Sequence, residues 1–187
     1  MVSPLKLYQS GNIQEALNAC REILSVDENN YEAKYVMARI DCSCGNYIAA
    51  IDAIADLEKF GRFDANDYFL FANLNLELDR VEEAILNYIK TIKLDPHHVP
   101  AFIRSGEAYM RINRLIDAEG MLEKAIELDE NNTNAIYARA HLSYGLRKYS
   151  NVTSDLKRLI LLGVDNDRIR LYLANAYNCL LYTSDAA

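Results

Sequence analysis

The chain has 187 residues, of which 51% are apolar and 25% are charged, and its formal net charge is −7. Acids and bases are interspersed, without the basic excess that attracts nucleic acid or an anionic membrane surface, so we predict neither partner. No apolar run approaches the ~18 residues that a membrane-spanning helix requires.

A 34-residue repeat runs through the chain. No insertion or deletion is needed when successive repeats begin at Tyr31, Ala65, Val99, Thr133 and Asp167. Position 8 is then small in every repeat: Ala38, Ala72, Gly106, Ala140 and Ala174. Position 20 reads Ala16, Ala50, Ala84, Ala118 and Val152, and position 30 reads Val26, Phe60, Leu94, Leu128 and Leu162. Small residues at positions 8 and 20 allow two helices to approach closely.

Taken in chain order, the repeats predict a helix pair each. The elements are a partial repeat over 1–30, four repeats over 31–64, 65–98, 99–132 and 133–166, and a partial repeat over 167–178. Within a repeat, apolar residues recur at helical spacing in two stretches of about 12–14 residues.

A tight turn should separate the two helices at position 15. There the first four repeats carry residues that tolerate the left-handed conformation, Gly11, Gly45, Asp79 and Asn113. Arg147 departs from this pattern, and we expect Gly145 to take its role.

These patterns predict an all-α fold. One helix pair cannot bury both of its apolar faces, so the pairs must stack on one another. The expected architecture is a right-handed α-solenoid of antiparallel helix pairs, forming a single domain over residues 1–178.

The pattern resembles the tetratricopeptide repeat, and the resemblance is closest over 99–132. There the family's expected residue types are met by Phe102, Gly106, Tyr109, Ala118, Leu122 and Ala125. Position 11, usually Tyr, departs at Asp41, Asn75 and Ser143. Position 7, usually large and apolar, departs at Ser105 and Arg139. The resemblance implies a protein–protein interaction scaffold and not an enzyme.

Both ends of the sequence suggest a fragment. The first helix of the first repeat is represented only by about Pro4 to Ser10. At the other end, residues 179–187 read CLLYTSDAA, which the codons TGT CTC TTA TAC ACA TCT GAC GCT GCC encode. That string resembles a transposase end joined to a sequencing adapter, so we expect 179–187 to be non-native.

The residues that carry chemistry elsewhere are explained more simply here. Cys20 and Cys44 fall at apolar positions and should be core residues, while Cys42 should face the groove; a metal site would need further ligands. His97-His98 lies in a loop between repeats. The sequence holds no nucleophile elbow or phosphate-binding glycine loop, so we predict no catalysis, metal or cofactor. Reduced thiols weakly favour a cytoplasmic setting.

The resemblance places the binding site on the first helices, which line the concave groove. Position 5 gives an apolar row, Tyr35, Phe69, Ile103, Tyr137 and Leu171, and position 9 a polar row, Arg39, Asn73, Glu107, His141 and Asn175. Position 12 adds Met110 and Tyr144. We expect a protein or peptide segment to bind there; alternatively, position 5 packs against the neighbouring helix.

Two further functions stay open, and one subclass is disfavoured. The repeats can be the substrate-recruiting arm of a larger enzyme such as a glycosyltransferase, or they can mediate self-association. The subclass that clamps the carboxylate tails of chaperones needs Lys, Asn and Arg side chains at five set positions, and in this chain only Arg104 fits. A carboxylate clamp is therefore disfavoured.

Overall fold

The computed structural model describes residues 3–59, 61 and 63–184, which form eleven helices and contain no strand. The all-α prediction is confirmed. The helices group into two compact units, Met1–Leu94 and Asp95–Ala187, called unit 1 and unit 2 below. Phe60, which we placed at position 30, lies outside the described residues, as do 185–187 of the suspected non-native tail.

Unit 1 contains three helix pairs. Its helices are α1 (Pro4–Gln9), α2 (Ile13–Val26), α3 (Tyr31–Ser43), α4 (Tyr47–Glu58), α5 (Ala65–Glu77) and α6 (Val81–Leu94). Each helix contacts the next one along the chain, and α1 also contacts α3. This contact between successive first helices is the stacking that the unburied faces of single pairs require.

Unit 2 contains two helix pairs and a further helix. They are α7 (Val99–Arg111), α8 (Leu115–Leu128), α9 (Thr133–Gly145), α10 (Tyr149–Leu161) and α11 (Asp167–Ser184). From the second repeat onward, the first helices begin at residues 31, 65, 99, 133 and 167, so the 34-residue period is confirmed. Helix α11 continues through residues 179–184, which we expect to be non-native.

Small residues allow the helices of a pair to pack closely. Ala38 and Ala50 are fully buried in one cluster with Ile51, Ile54 and Leu74. In α7 the fit is tighter: a Cβ added to Gly106 would lie 2.8 Å from Cγ of Leu122 in α8. Real Cβ atoms essentially never come that close to another heavy atom. Position 8 is therefore small because the second helix occupies the space.

The turns correct one expectation. Gly145 is the last residue of α9, and Arg147 itself takes the left-handed conformation, with φ 58°. Asp79 and Asn113 do the same at φ 57° and 61°. The reason is geometric, because the residue that reverses the chain stands two positions after the last residue of the first helix, and after α9 that residue is Arg147. There the amide of Lys148 donates to the carbonyl of Ser143 at 2.8 Å. For a non-glycine residue such as Arg147, the left-handed backbone conformation costs roughly 1–2 kcal/mol of folding free energy.

The expectation for Cys44 is wrong, whereas Cys20 is fully buried as predicted. Cys44 is exposed because it caps the end of α3, immediately before the turn at Gly45. Cys42 is half-buried and packs against the cluster around Ala38 and Ile54, so its side chain serves the core at least in part.

The two departures at position 7 are accommodated in different ways. Arg139 forms two hydrogen bonds to the buried Asp155 of α10, from Nη2 to Oδ1 at 2.6 Å and from Nε to Oδ2 at 3.0 Å. Ser105 is fully buried, and its hydroxyl has no hydrogen-bond partner among the described residues. An ion pair thus joins α9 to α10, where the family usually places apolar packing.

Candidate peptide-binding surface

The predicted site residues lie on the first helices of both units. We call Tyr35, Arg39, Phe69 and Asn73 the unit 1 surface, on α3 and α5. The unit 2 surface consists of the remaining predicted residues on α7, α9 and α11: Ile103, Glu107, Met110, Tyr137, His141, Tyr144, Leu171 and Asn175.

The unit 2 surface contains two adjoining depressions. The first, of about 400 Å³, is lined by Glu107, Met110, Arg111, Tyr137, Ala138 and His141. The second, of about 320 Å³, is lined by Tyr137, His141, Tyr144, Arg168, Leu171, Tyr172 and Asn175. Tyr137 and His141 belong to both, because α9 is the middle first helix of the unit. The structure therefore brings together seven of the eight residues predicted here.

Ile103 does not line either depression. Only 7% of it is exposed, because its side chain is packed within unit 2. Leu171, at the same repeat position in α11, is 64% exposed. At position 5, Ile103 is therefore a core residue, whereas Leu171 is a surface residue. Both alternatives predicted for position 5, packing against neighbouring helices and lining the groove, occur in unit 2.

Tyrosines give the second depression its aromatic wall. The ring of Tyr144 lies 5.0 Å from that of Tyr172 and 5.6 Å from that of Tyr149, centroid to centroid. The guanidinium of Arg168 lies 5.8 Å from the centre of the Tyr137 ring. An aromatic wall with a cation at its rim suits an apolar or aromatic side chain of a partner.

The sequence analysis missed Arg168 and Tyr172. The Tyr172 hydroxyl is buried without a hydrogen-bond partner among the described residues. Burial, together with the neighbouring Tyr137 and Tyr144, raises its pKa to about 12. Arg168 and Tyr172 stand at positions 2 and 6 of their repeat, outside the position 5, 9 and 12 rows from which the site was predicted.

On the unit 1 surface, the predicted residues are engaged within the unit. Nη1 of Arg39 donates to the Tyr35 hydroxyl at 2.8 Å, and its guanidinium lies 5.6 Å from the Tyr35 ring centre. The hydroxyl of buried Tyr88 donates to Oδ1 of Asn73 at 2.6 Å, and the Phe69 ring lies 5.7 Å from the Tyr88 ring. Phe69 thus packs on α6, the second helix of its pair. The hydrogen bond from Tyr88 engages the side-chain oxygen of Asn73 and not its N–H groups.

No group of three or more metal-binding side chains occurs among the described residues. His98 has a structural role, because its Nδ1 accepts from the Ala101 amide at 3.2 Å and caps α7. Within the part of the chain that the structure describes, no helix is both long and apolar enough to cross a membrane.

Comparison with family models gives the same assignment in both units. A tetratricopeptide repeat model matches residues 7–74, and a second tetratricopeptide repeat model matches residues 99–132. The second match coincides with the repeat that we found closest to the family pattern.

Two relatives are similar over about two thirds of the chain. A UDP-N-acetylglucosamine–peptide N-acetylglucosaminyltransferase of Giardia intestinalis is 30% identical over 129 residues, 67% of this chain and 9% of that protein. A DnaJ homolog subfamily C member 7 homolog of Dictyostelium discoideum is 26% identical over 147 residues, 70% of this chain and 27% of that protein. The chain thus spans a minor part of either relative.

Solved structures share the fold. YrrB, described as a TPR protein with an unusual peptide-binding site, has a TM-score of 0.81 at 15% identity, over 92% of this chain and 88% of that one. The first TPR of Spaghetti (RPAP3), bound to the HSP90 peptide SRMEEVD, has a TM-score of 0.61 at 23% identity, over 63% and 94%. The likeness confirms the predicted fold class, a right-handed α-solenoid of antiparallel helix pairs.

Proposed function

This chain belongs to the tetratricopeptide repeat family, whose repeats are protein–protein interaction scaffolds, and we propose that it binds a peptide segment of its partner along the unit 2 surface. The observation that carries the proposal is the pair of depressions sharing Tyr137 and His141. Two adjoining depressions suit two side chains of one bound segment, with its backbone over α9.

The residues that line the two depressions offer two kinds of contact to a bound segment. Met110 and the tyrosines offer apolar and aromatic surface, while Glu107, Arg111 and Asn175 offer polar groups at the edges. Specific grooves combine apolar pockets that give affinity with a few polar groups that orient the ligand.

The expected affinity is modest. Burying one apolar side chain fully contributes about 1.5–3 kcal/mol. Association costs on the order of 4–15 kcal/mol in lost freedom. Two anchors alone therefore support a weak, transient complex, and tight binding requires further contacts along the segment.

The test is selection of peptides from a displayed random library with the whole chain, followed by calorimetric titration of the selected peptides. We expect Tyr137→Ala to weaken binding by about tenfold or more, since aromatic anchors dominate such interfaces. The matched control is Ile116→Ala on α8, which removes a side chain that is 88% exposed. The proposal fails if Ile116→Ala abolishes binding and Tyr137→Ala, with unchanged circular dichroism, does not.

A second function is favoured by the similarity to the Giardia intestinalis glycosyltransferase. In this proposal the repeats recruit protein substrates for a catalytic domain elsewhere in a longer protein. The sequence of the complete gene tests it: more than ~100 further residues without the 34-residue period, a typical domain length, would support it. A gene that holds only further repeats would refute it.

A clamp for carboxylate tails remains disfavoured in both proposals. The RPAP3 repeat domain is bound to the acidic peptide SRMEEVD. Of the five clamp positions in this chain, Tyr35, Arg39, Leu70 and Pro100 depart from the clamp pattern, and only Arg104 fits it. We expect that peptide to bind no better than a scrambled version.

A further inference from the structure

Unit 1 holds a cavity that differs in chemistry from the unit 2 depressions. Its volume is about 610 Å³, and it is lined by Leu5, Asn30, Tyr31, Glu32, Tyr35, Asp64 and Asp67. Three of these seven residues are acids and two are tyrosines, so the wall is both anionic and aromatic.

No cation of the described residues pairs with these carboxylates. Among the described residues, no lysine or arginine nitrogen lies within 4 Å of a carboxylate oxygen of Glu32, Asp64 or Asp67. Asp67 is only 8% exposed, and burial raises its pKa despite the hydrogen bond from the Asp64 amide. A buried carboxylate without a counter-ion is costly, and a cation entering the cavity would offset that cost.

The aromatic wall points to the same class of ligand. Tyr31 and Tyr35 are stacked, with ring centres 6.1 Å apart and planes 8° from parallel. The Arg39 guanidinium lies 5.6 Å from the Tyr35 ring centre, so this ring already packs against a cation of the same unit. Aromatic rings combined with carboxylates are the surroundings that cationic groups prefer.

Helix capping explains part of this arrangement and leaves room for a ligand. Oδ1 of Asp64 accepts from the Asp67 amide, and Oδ2 of Asp67 accepts from the Asp64 amide, which forms the capping box of α5. Oε1 of Glu32 accepts from the Leu5 amide and from the Ser3 hydroxyl. These bonds engage one oxygen of each carboxylate, whereas an ionised carboxylate has two acceptor oxygens.

Arg39, a described cation beside the cavity, does not neutralise its lining. Arg39 donates to the Tyr35 hydroxyl at 2.8 Å, and Tyr35 and Arg39 each act to lower the pKa of Asp67 against the larger effect of burial. The hydrogen bond from Arg39 holds the Tyr35 ring in the cavity wall. Among the residues that the structure describes, one guanidinium lies beside three carboxylates, so the described lining carries a net negative charge.

We propose that the unit 1 cavity is a cation subsite that receives a lysine or arginine side chain of a bound protein segment. The proposal rests on the proposed scaffold function and narrows the partner to one that carries a basic residue. The charged head would lie against Glu32 and Asp64, with its apolar stem along the stacked tyrosines.

The experiment uses a pair of small probes and the whole chain. N-acetyl-arginine amide is titrated while backbone resonances are followed by NMR, and N-acetyl-citrulline amide, the neutral isostere, serves as its control. We expect the arginine probe to shift resonances of residues 31–35 and 64–67, and the citrulline probe to leave them unchanged. Raised salt should weaken the effect, because the attraction is electrostatic.

Two variants make the test specific. The double change Glu32→Gln and Asp64→Asn keeps a side-chain acceptor at each helix cap and removes two charges. It should weaken binding of the arginine probe by about tenfold or more, because losing one charge-assisted hydrogen bond changes a dissociation constant by about that factor. The matched control, Glu22→Gln with Glu28→Gln, removes two exposed charges from the same unit and should change binding less than about twofold.

Three outcomes overturn the proposal: equal binding of arginine and citrulline probes, no resonance shift with either, or equal loss in both double variants. None of these depends on peptide capture by the unit 2 surface, which Tyr137→Ala tests. A failed cation subsite and a failed scaffold function are therefore distinguishable.

Discussion

The unit 1 and unit 2 surfaces share one repeat register but differ in chemistry. In unit 1, Arg39 and Asn73 are bound to tyrosines of the same unit, and the nearby cavity is acidic. In unit 2, Tyr137 and His141 connect two depressions walled by Met110 and tyrosines. The comparison teaches that the helix period sets where a side chain stands, while its partners on the second helices decide what it can bind.

We expect the largest effect from the ion pair between Arg139, at position 7 in unit 2, and Asp155. Unit 1 carries the apolar residues Met37 and Phe71 at position 7 instead. We expect Arg139→Met to lower the free energy of unfolding by about 3–5 kcal/mol, because it leaves the Asp155 carboxylate buried without a partner. Urea denaturation of the whole chain measures the effect.

The double variant Arg139→Met with Asp155→Leu is the control for that change. It should recover most of the stability, since apolar packing replaces a buried ion pair at little cost. Equal destabilisation by the single and the double variant would show that Arg139 acts through packing and not through charge.

The fit at position 8 sets one repeat of unit 2 apart, because Gly106 stands where unit 1 holds Ala38 and Ala72 and the rest of unit 2 holds Ala140 and Ala174. Gly106→Ala should destabilise by about 1–3 kcal/mol, as the new methyl group meets Leu122. Gly145→Ala is the matched control: its added Cβ meets nothing within 4 Å and should stabilise α9 by about 0.5–1 kcal/mol. Thermal melting by circular dichroism compares them, and equal shifts would contradict the steric account.

The acidic cavity of unit 1 predicts a pH dependence. Because burial raises the folded-state pKa of Asp67, protonation stabilises the folded state. This contribution is fully present below the usual pKa of about 3.9 and is lost as pH rises through the raised value. Relative to Asp67→Asn, the native chain should lose about 1.4 kcal/mol of unfolding free energy for each unit by which the pKa is raised.

Denaturation series at several pH values, run on both proteins, measure that difference. Asp64, Tyr35 and Arg39 face the same carboxylate and are common to both proteins, so their own contributions largely cancel. A constant difference across the acidic range would contradict a raised pKa for Asp67.

The smallest effects concern one buried tyrosine hydroxyl in each unit. Tyr88→Phe should destabilise by about 0.5–1.5 kcal/mol, since it removes the hydrogen bond to Asn73. Tyr172→Phe should be neutral or slightly stabilising, because the hydroxyl of Tyr172 has no partner among the described residues. Chemical denaturation of both variants settles the order, and a larger loss for Tyr172→Phe would reverse the interpretation.

The sequence predicted the fold well and the surface less well. The spacing of small and apolar residues predicted each helix pair, because helix geometry relates sequence distance to the face of a helix. It could not tell that Ile103 is core while Leu171 is exposed, since both are apolar residues at one repeat position. It misplaced Cys44 and Gly145, because each lies within two residues of a turn whose location depends on hydrogen bonds at the helix end.

By itself the sequence determined the all-α class and the 34-residue period. These follow from periodicity, which is a local property of the chain. Only the tertiary structure decided which side chains meet, such as Arg139 with Asp155, or Leu5 with Tyr35 and Asp67 around one cavity. Burial, partnership and charge balance depend on residues distant in the chain, and the packing of one helix on another brings these together.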